Sequence, residues 1–187
     1  MTSMANLSAL TLGAALLMAA PAAGAGPPAQ LLGKSVVATW DESRIQRNVG
    51  ESQFRPVHAS HTISVYVGAS GRVFSRLTIT TRAGTGSSDQ VQGQAGSSPN
   101  FRARVPSFTG RSMILFMPFS QGGMRRLIVD FDAGFTTCTA RVSHAKQEGA
   151  STSYARSLIT KRMVEFQSST TSGEACSVRS GNVFAGE

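Results

Sequence analysis

The sequence predicts an all-β fold, a single-domain antiparallel β-sandwich or barrel of about eight strands. Three observations support this prediction. Several short segments alternate apolar and polar residues with a period of two, Gly-containing turns separate them, and only one stretch could be helical. The chain has 187 residues, a length that favours one domain. Its 41% hydrophobic and 15% charged residues exclude a wholly disordered protein.

The first strands lie in the segments 34–41, 62–67 and 73–81. In the first of them Trp40 shares a face with Val36 and Ala38, which places the chain's one tryptophan in the core. The second and third segments alternate on either side of a Gly-bounded turn at 68–71, the pattern of a β-hairpin. The N-terminal part of the domain should therefore be a meander.

A segment rich in Gly and Ser, 83–100, follows the hairpin. It contains one large apolar side chain, Val91, and so has little to bury. We expect a flexible loop of the single domain here, since long loops in compact domains are either functional or disordered.

Alternation resumes at 101–105 and continues to the end of the chain. The segment 111–119 is apolar on both faces, which predicts a doubly buried strand or one with a face in a subunit contact. In 124–132 the side chains Leu127, Val129 and Phe131 should point inward. The ambiguous stretch is 151–166, where we expect a short helix or loop near 152–160. A hairpin of 163–170 with 175–178 should follow it.

The N-terminus has the pattern of a secretory signal peptide. The first thirty residues carry no Asp, Glu, Lys or Arg, and an apolar run ends at Ala23-Gly24-Ala25, small residues suited to a signal peptidase. We expect cleavage after Ala25, which leaves 26–187 as the single β-rich domain. A membrane anchor is the alternative, but the apolar run is shorter than the roughly 20 residues of a span. The predicted location is the periplasm or the extracellular space.

The two cysteines, Cys138 and Cys176, are predicted to form a disulfide. Export would place them in an oxidising compartment, and each lies on the apolar face of an alternating segment. No C-x-x-C motif suggests a redox-active pair. Two cysteines are also too few for a four-cysteine zinc site or a dense disulfide scaffold.

The charge is strongly basic. Lys and Arg number 18 against 10 Asp and Glu, a net charge of +8, and 15 of the 18 are Arg. The planar guanidinium group suits phosphate, carboxylate and sulfate. Arginines on outward strand faces are therefore candidates for binding an anionic lipid, a polysaccharide or an acidic protein of the cell envelope. The candidates are Arg72, Arg76, Arg82, Arg102, Arg104, Arg125 and Arg126.

The charge has two other interpretations. Codon usage alone could enrich a chain in Arg. Intracellular nucleic acid is a poor partner for an exported protein, and with one Trp and two Tyr the chain offers few side chains for base stacking.

Catalytic and metal-binding patterns are weak. His58 and His61 are spaced H-x-x-H, but residues three apart on a strand point to opposite faces, so we expect no metal site and no cofactor. No G-x-S-x-G motif is present. Carboxylates that could assist a hydrolase are Glu42, Glu51, Asp130 and Asp132.

The function predicted from the sequence is that of a noncatalytic, exported β-domain that binds an anion through an arginine-rich face. Two alternatives remain open. One is an envelope hydrolase that uses His58, His61 and nearby acids. The other is a structural or assembly protein that uses 113–119 as an interface.

Overall fold

The structure is a computed structural model, and it describes residues 26–91 and 106–185. The chain is all-β, as predicted, and the described residues form ten strands in two antiparallel sheets. The strands are β1 (Lys34–Asn48), β2 (Arg55–Val67), β3 (Val73–Thr81), β4 (Gly84–Val91), β5 (Ser107–Thr109), β6 (Ser112–Pro118), β7 (Gly123–Phe131), β8 (Cys138–Lys146), β9 (Ser153–Arg156) and β10 (Met163–Ser180).

The two sheets share one apolar core, the arrangement of a β-sandwich. The larger sheet has the strand order β4-β3-β2-β1-β10-β9, and the smaller sheet has the order β5-β6-β7-β8. The core takes Trp40 and Ile63 from the larger sheet and Leu115 and Leu127 from the smaller one. The inward positions alternate with outward ones along each strand, which is why the sequence periodicity identified most strands.

The disulfide between Cys138 and Cys176 is confirmed. It joins β8 of the smaller sheet to β10 of the larger one, with a Cα–Cα distance of 5.5 Å. Both cysteines pack against the apolar core, as their alternating segments predicted. The bond closes a long loop, which restricts the unfolded chain and stabilises the fold by roughly 4 kcal/mol.

Three segments differ from the sequence prediction. Residues 84–91 of the predicted loop form β4, whose backbone is paired with β3 although it has almost no apolar side chains. Residues 153–156 form β9 in place of a short helix or loop. The predicted hairpin after Met163 is instead one long strand, β10, in which Gly173 lies at a bulge opposite Trp40 and not in a reversing turn.

Of the two alternatives predicted for 111–119, a strand buried on both faces was wrong, and a subunit contact of its outer face stays a prediction. In β6 only Met113, Leu115 and Met117 are buried, and the residues between them on the outer face are half-buried. The inward placement of Leu127, Val129 and Phe131 was correct.

Several predictions fall outside the described residues. These are the signal peptide over 1–25, the rest of the predicted loop over 92–100, and the predicted strand over 101–105. Within 26–91 and 106–185 there is no helix of the length and apolarity needed to cross a membrane.

Candidate functional site

The inward face of β1 changes from apolar to charged partway along the strand. Trp40 is buried, and the next two inward residues are Glu42 and Arg44. The alternation continues beyond Asp41, where the sequence pattern had placed the end of the strand. It therefore carries a carboxylate and a guanidinium group into the space between the sheets.

Glu42 is the centre of a largely buried cluster of charged and polar side chains, which also contains Arg44, His61, Arg125, His144 and Ser169. Its Oε2 accepts a 2.6 Å hydrogen bond from Nη2 of Arg125, and it also lies 2.7 Å from Nε2 of His61. Its Oε1 accepts a hydrogen bond from the Ser169 hydroxyl group. Both carboxylate oxygens are thus engaged, which offsets the cost of burying the charge.

Arg125 connects this carboxylate to a second histidine. Its Nε donates a 3.0 Å hydrogen bond to Nε2 of His144, so this ring nitrogen carries no proton. The guanidinium group of Arg125 also lies 5.5 Å from the centre of the Phe119 ring, within the range of a cation–π contact.

His61 contacts the Glu42 carboxylate and is completely buried. Its ring stacks on Trp40 at 4.8 Å between centroids, and its side chain has no exposed surface. Burial lowers the pKa of His61 to about 4, and the positive charge of Arg125 acts in the same direction, while the contact with Glu42 opposes both. Burial likewise lowers the pKa of His144, again with a contribution from Arg125.

The protonation states of the cluster follow from these shifts. Burial alone would raise the pKa of Glu42, but Arg125, the contact with His61 and Arg44 together lower that pKa well below its usual range. At neutral pH the cluster therefore holds one carboxylate, two neutral imidazoles and two guanidinium groups. One positive charge is in excess.

The excess charge is that of Arg44. Its Nε lies 3.8 Å from Oε1 of Glu42, too far for a hydrogen bond, and within the described part of the chain this buried Nε makes none. Burial lowers the pKa of Arg44, but a guanidinium group does not lose its proton in a protein. A buried cation without a hydrogen-bonded anion is unfavourable unless a further group compensates it.

A cavity of about 790 Å³ opens beside this cluster, between the two sheets. Such a volume suits a small organic ligand. Five arginines line it: Arg44, Arg55, Arg82, Arg125 and Arg156. The rest of the lining is mainly apolar, and no Asp or Glu is found among the described residues that line it. An anion entering this cavity would meet positive charge without a competing carboxylate.

The arginines differ in depth. The side chains of Arg44 and Arg125 are 11% and 5% exposed, whereas Arg55, Arg82 and Arg156 are exposed. Charges in the interior are screened less by solvent, so the two buried guanidinium groups exert the stronger field on a bound group. The exposed three can attract an anion from solution.

The seven arginines proposed from the sequence are not gathered on one face. Arg76 lies on the outer face of the larger sheet, where its guanidinium group binds Asp89, and Arg126 lies on the outer face of the smaller sheet. Arg72 is in the exposed β2–β3 turn and Arg82 lies beside the cavity. Arg102 and Arg104 are outside the described residues.

The expected outward position of Arg125 was wrong. Arg125 shares the inward face of β7 with Leu127 and is 4% exposed. Its own alternation with Leu127 and Val129 was the signal that could have shown this. Arg44 carried the same signal, since it is two residues beyond Glu42 and four beyond Trp40 on one face of a strand.

Of the histidines and acids proposed from the sequence, His61 and Glu42 are in contact, and the others are dispersed. His58 is exposed on β2, where its Nδ1 is 2.9 Å from the Ser43 hydroxyl group, and it is among the residues that line the cavity, whereas His61 is buried. Glu51 binds Asn48 at the surface, Asp130 binds Ser112 and Arg141, and Asp132 accepts hydrogen bonds within its own turn. Among the described residues, no group of three His, Cys, Asp or Glu side chains could hold a metal ion.

Comparisons of the chain with protein-family models, with curated proteins and with solved structures found no match.

Proposed function

We propose that this protein is a noncatalytic binding protein that holds an anionic ligand in the cavity between its two sheets. The observation that carries the proposal is Arg44, whose side chain is 11% exposed. Among the residues that the structure describes, no acidic side chain lines the cavity beside Arg44 and none forms a hydrogen bond with it. A ligand anion there would supply the compensation that Glu42, already bound to Arg125 and Ser169, does not give Arg44.

This proposal moves the predicted anion-binding role from an outer face to the interior. The exposed arginines are spread over both outer faces, and one of them, Arg76, is bound to Asp89. Five arginines line the cavity, whereas the arginines of the outer faces are far apart. The three exposed arginines at the cavity, Arg55, Arg82 and Arg156, give the ligand an electrostatic approach to it.

The proposed binding can be tested with two dyes that share a ring system. 8-Anilinonaphthalene-1-sulfonate carries a sulfonate group, and N-phenyl-1-naphthylamine is its uncharged analogue. We expect the purified, oxidised protein to bind the sulfonate at one site, more tightly than the uncharged dye. The affinity should fall as the salt concentration rises, because screening weakens the attraction.

Matched variants locate the binding. Arg44→Gln should weaken sulfonate binding about tenfold or more, since a charge-assisted contact is lost. Arg126→Gln removes the same charge from the outer face of β7 and should leave the affinity unchanged. Equal effects of the two variants, or equal affinities for the two dyes, would contradict the proposal.

Export through a signal peptide belongs to the same proposal. The disulfide supports it, because such bonds persist in oxidising compartments. Intact mass measurement of the protein recovered from the cell envelope or medium should show a chain beginning at Gly26. A chain of full length in the cytoplasm, with both cysteines reduced, would contradict this part of the proposal.

A further inference from the structure

We infer that the ligand is an amphiphile, a single hydrocarbon chain that ends in one anionic headgroup of the carboxylate or phosphate type. This inference rests on the proposed function and adds the chemical class of the ligand. It is carried by the presence, in one cavity, of two largely buried guanidinium groups and a wall of core side chains.

The apolar part of the cavity is built from core side chains. Leu77 of β3, Met117 of β6 and Leu158 of the β9–β10 connection line the cavity and belong to the apolar core, and Ile79 packs against it. A small hydrophilic anion would leave this wall in contact with water. A hydrocarbon chain would cover it, which is favourable in proportion to the apolar area removed from water.

Arg44 is remote from the aliphatic side chains of β3, whereas Arg125 is next to Met117, its pairing partner on β6. Arg44 is on β1 and Arg125 is on β7, whereas Leu77 and Ile79 are on β3, two strands away from β1 in the larger sheet. A ligand with its headgroup at Arg44 therefore has its tail directed across β2 towards β3. The connection that contains Leu158 closes this apolar side, since its backbone packs directly on Gly86 of β4.

The charge of the cluster limits the headgroup. Two buried guanidinium groups and one carboxylate leave an excess of one positive charge, which matches one anionic group. An uncharged amphiphile would leave Arg44 uncompensated, and a cationic one would add a second unpaired charge. Both should be rejected.

The test is a calorimetric titration of the purified, oxidised protein with ligands below their micelle concentrations. Acetate, hexanoate, octanoate and decanoate form one series, inorganic phosphate and decyl phosphate form a second, and decyltrimethylammonium is the cationic control. We expect the affinity for the carboxylates to rise with chain length, by up to about fourfold per methylene group. The cation should not bind.

Paired variants separate the headgroup site from the tail site. Ile79→Asp places a charge on the apolar wall and should weaken decanoate binding at least tenfold. The control Ile45→Asp makes the same change at an exposed position of β1 and should have no effect. Arg44→Gln should weaken decanoate and decyl phosphate together, and Arg44→Lys should retain part of the affinity. Urea unfolding of each variant establishes that it is folded.

The outcomes distinguish the inference from the function on which it rests. Chain-length dependence in either anionic series upholds the inference, and the stronger series identifies the headgroup. If acetate or inorganic phosphate binds as tightly as the long-chain ligand, the amphiphile is wrong while anion binding stands. If the cation binds as well as the anions, or no anion binds, both proposals are overturned.

Discussion

Arg125 donates a 2.6 Å hydrogen bond to Glu42, and this contact joins β7 of the smaller sheet to β1 of the larger sheet inside the core. At this buried position the polar side chains of the protein must supply the contacts that water would make to an exposed ion pair. Ser169, His61 and His144 provide that environment around the two charged groups. The pair is thus a connection between the sheets, and its arginine, Arg125, also lines the cavity.

Glu42→Gln should strongly destabilise the protein. The substitution keeps the shape of the side chain but leaves Arg125 and Arg44 buried without a carboxylate, and removal of one partner of a buried pair costs about 3–5 kcal/mol. The free energy of unfolding from urea titration, with the midpoint and slope reported separately, measures the loss.

The matched control is Asp89→Asn, which breaks the exposed pair between Asp89 and Arg76. Exposed pairs contribute about 1 kcal/mol or less, so this variant should stay close to the wild type. If the two variants lose similar amounts of unfolding free energy, solvent screens the pair of Glu42 with Arg125 as it screens an exposed pair.

Arg44→Met should have a much smaller effect on stability than Glu42→Gln, although both residues belong to the same cluster. Arg44 contributes the excess charge and makes no hydrogen bond through its buried Nε to any described residue. Methionine keeps an unbranched stem and leaves the pair of Glu42 with Arg125 balanced. We expect the free energy of unfolding to change by about 1 kcal/mol or less.

When an anionic ligand is bound, the wild type should become clearly more stable than Arg44→Met. Ligand binding stabilises the wild type through mass action, and the variant should gain less. A loss of several kcal/mol for Arg44→Met without ligand would mean that the protein alone compensates this charge.

The sequence patterns identified the apolar residues that point into the sandwich and missed the charged residues that point inward, for a physical reason. Val36, Ala38 and Trp40 are apolar, so period-two alternation identifies their face. Glu42 and Arg44 continue that face, yet by their residue type they look like solvent-exposed positions. Polar residues in a core depend on partners from distant strands, here Arg125, 83 residues away. One strand's pattern cannot reveal those partners.

The edge strand β4 and the long strand β10 show a second limit of sequence patterns. β4 is held by backbone pairing with β3, which needs no apolar side chains, so its Gly- and Ser-rich sequence resembles a loop. In β10 the residues Ser172-Gly173 predict a turn, but the flanking residues pair with β1 on both sides. The glycine is accommodated there as a bulge.

Gly86→Ala should displace the connection that covers the apolar side of the cavity. A Cβ atom at position 86 would lie 2.5 Å from the Leu158 carbonyl oxygen, a backbone atom that cannot move alone. We expect a loss of about 1–3 kcal/mol in unfolding free energy and weaker binding of long-chain ligands. Ser87→Ala, at the next and exposed position of β4, is the control. If Gly86→Ala binds decanoate like the wild type, the connection does not shape the cavity.

The stability of the protein should fall as the pH is lowered from about 6.5 towards 4. The pKa of His61 is about 4 in the folded chain and about 6.5 in a solvated one, so between these values the unfolded chain binds a proton that the folded chain does not. Stability therefore rises with pH across this window and is fully present above about 6.5. The lowered pKa values of His144 and Glu42 act in the same direction.

His61→Gln should flatten this pH dependence, because it removes the histidine whose pKa burial lowers to about 4. The contribution of His61 amounts to at most about 3 kcal/mol over the full window. Urea unfolding at pH 7.5, 6.0, 5.0 and 4.5 measures the slope, and Ser60→Ala, on the outer face of the same strand, controls for local changes in β2. A slope that His61→Gln leaves unchanged would contradict the assignment. The pH dependence would then have to come from His144 and the carboxylates, whose lowered pKa values also favour the folded state at neutral pH.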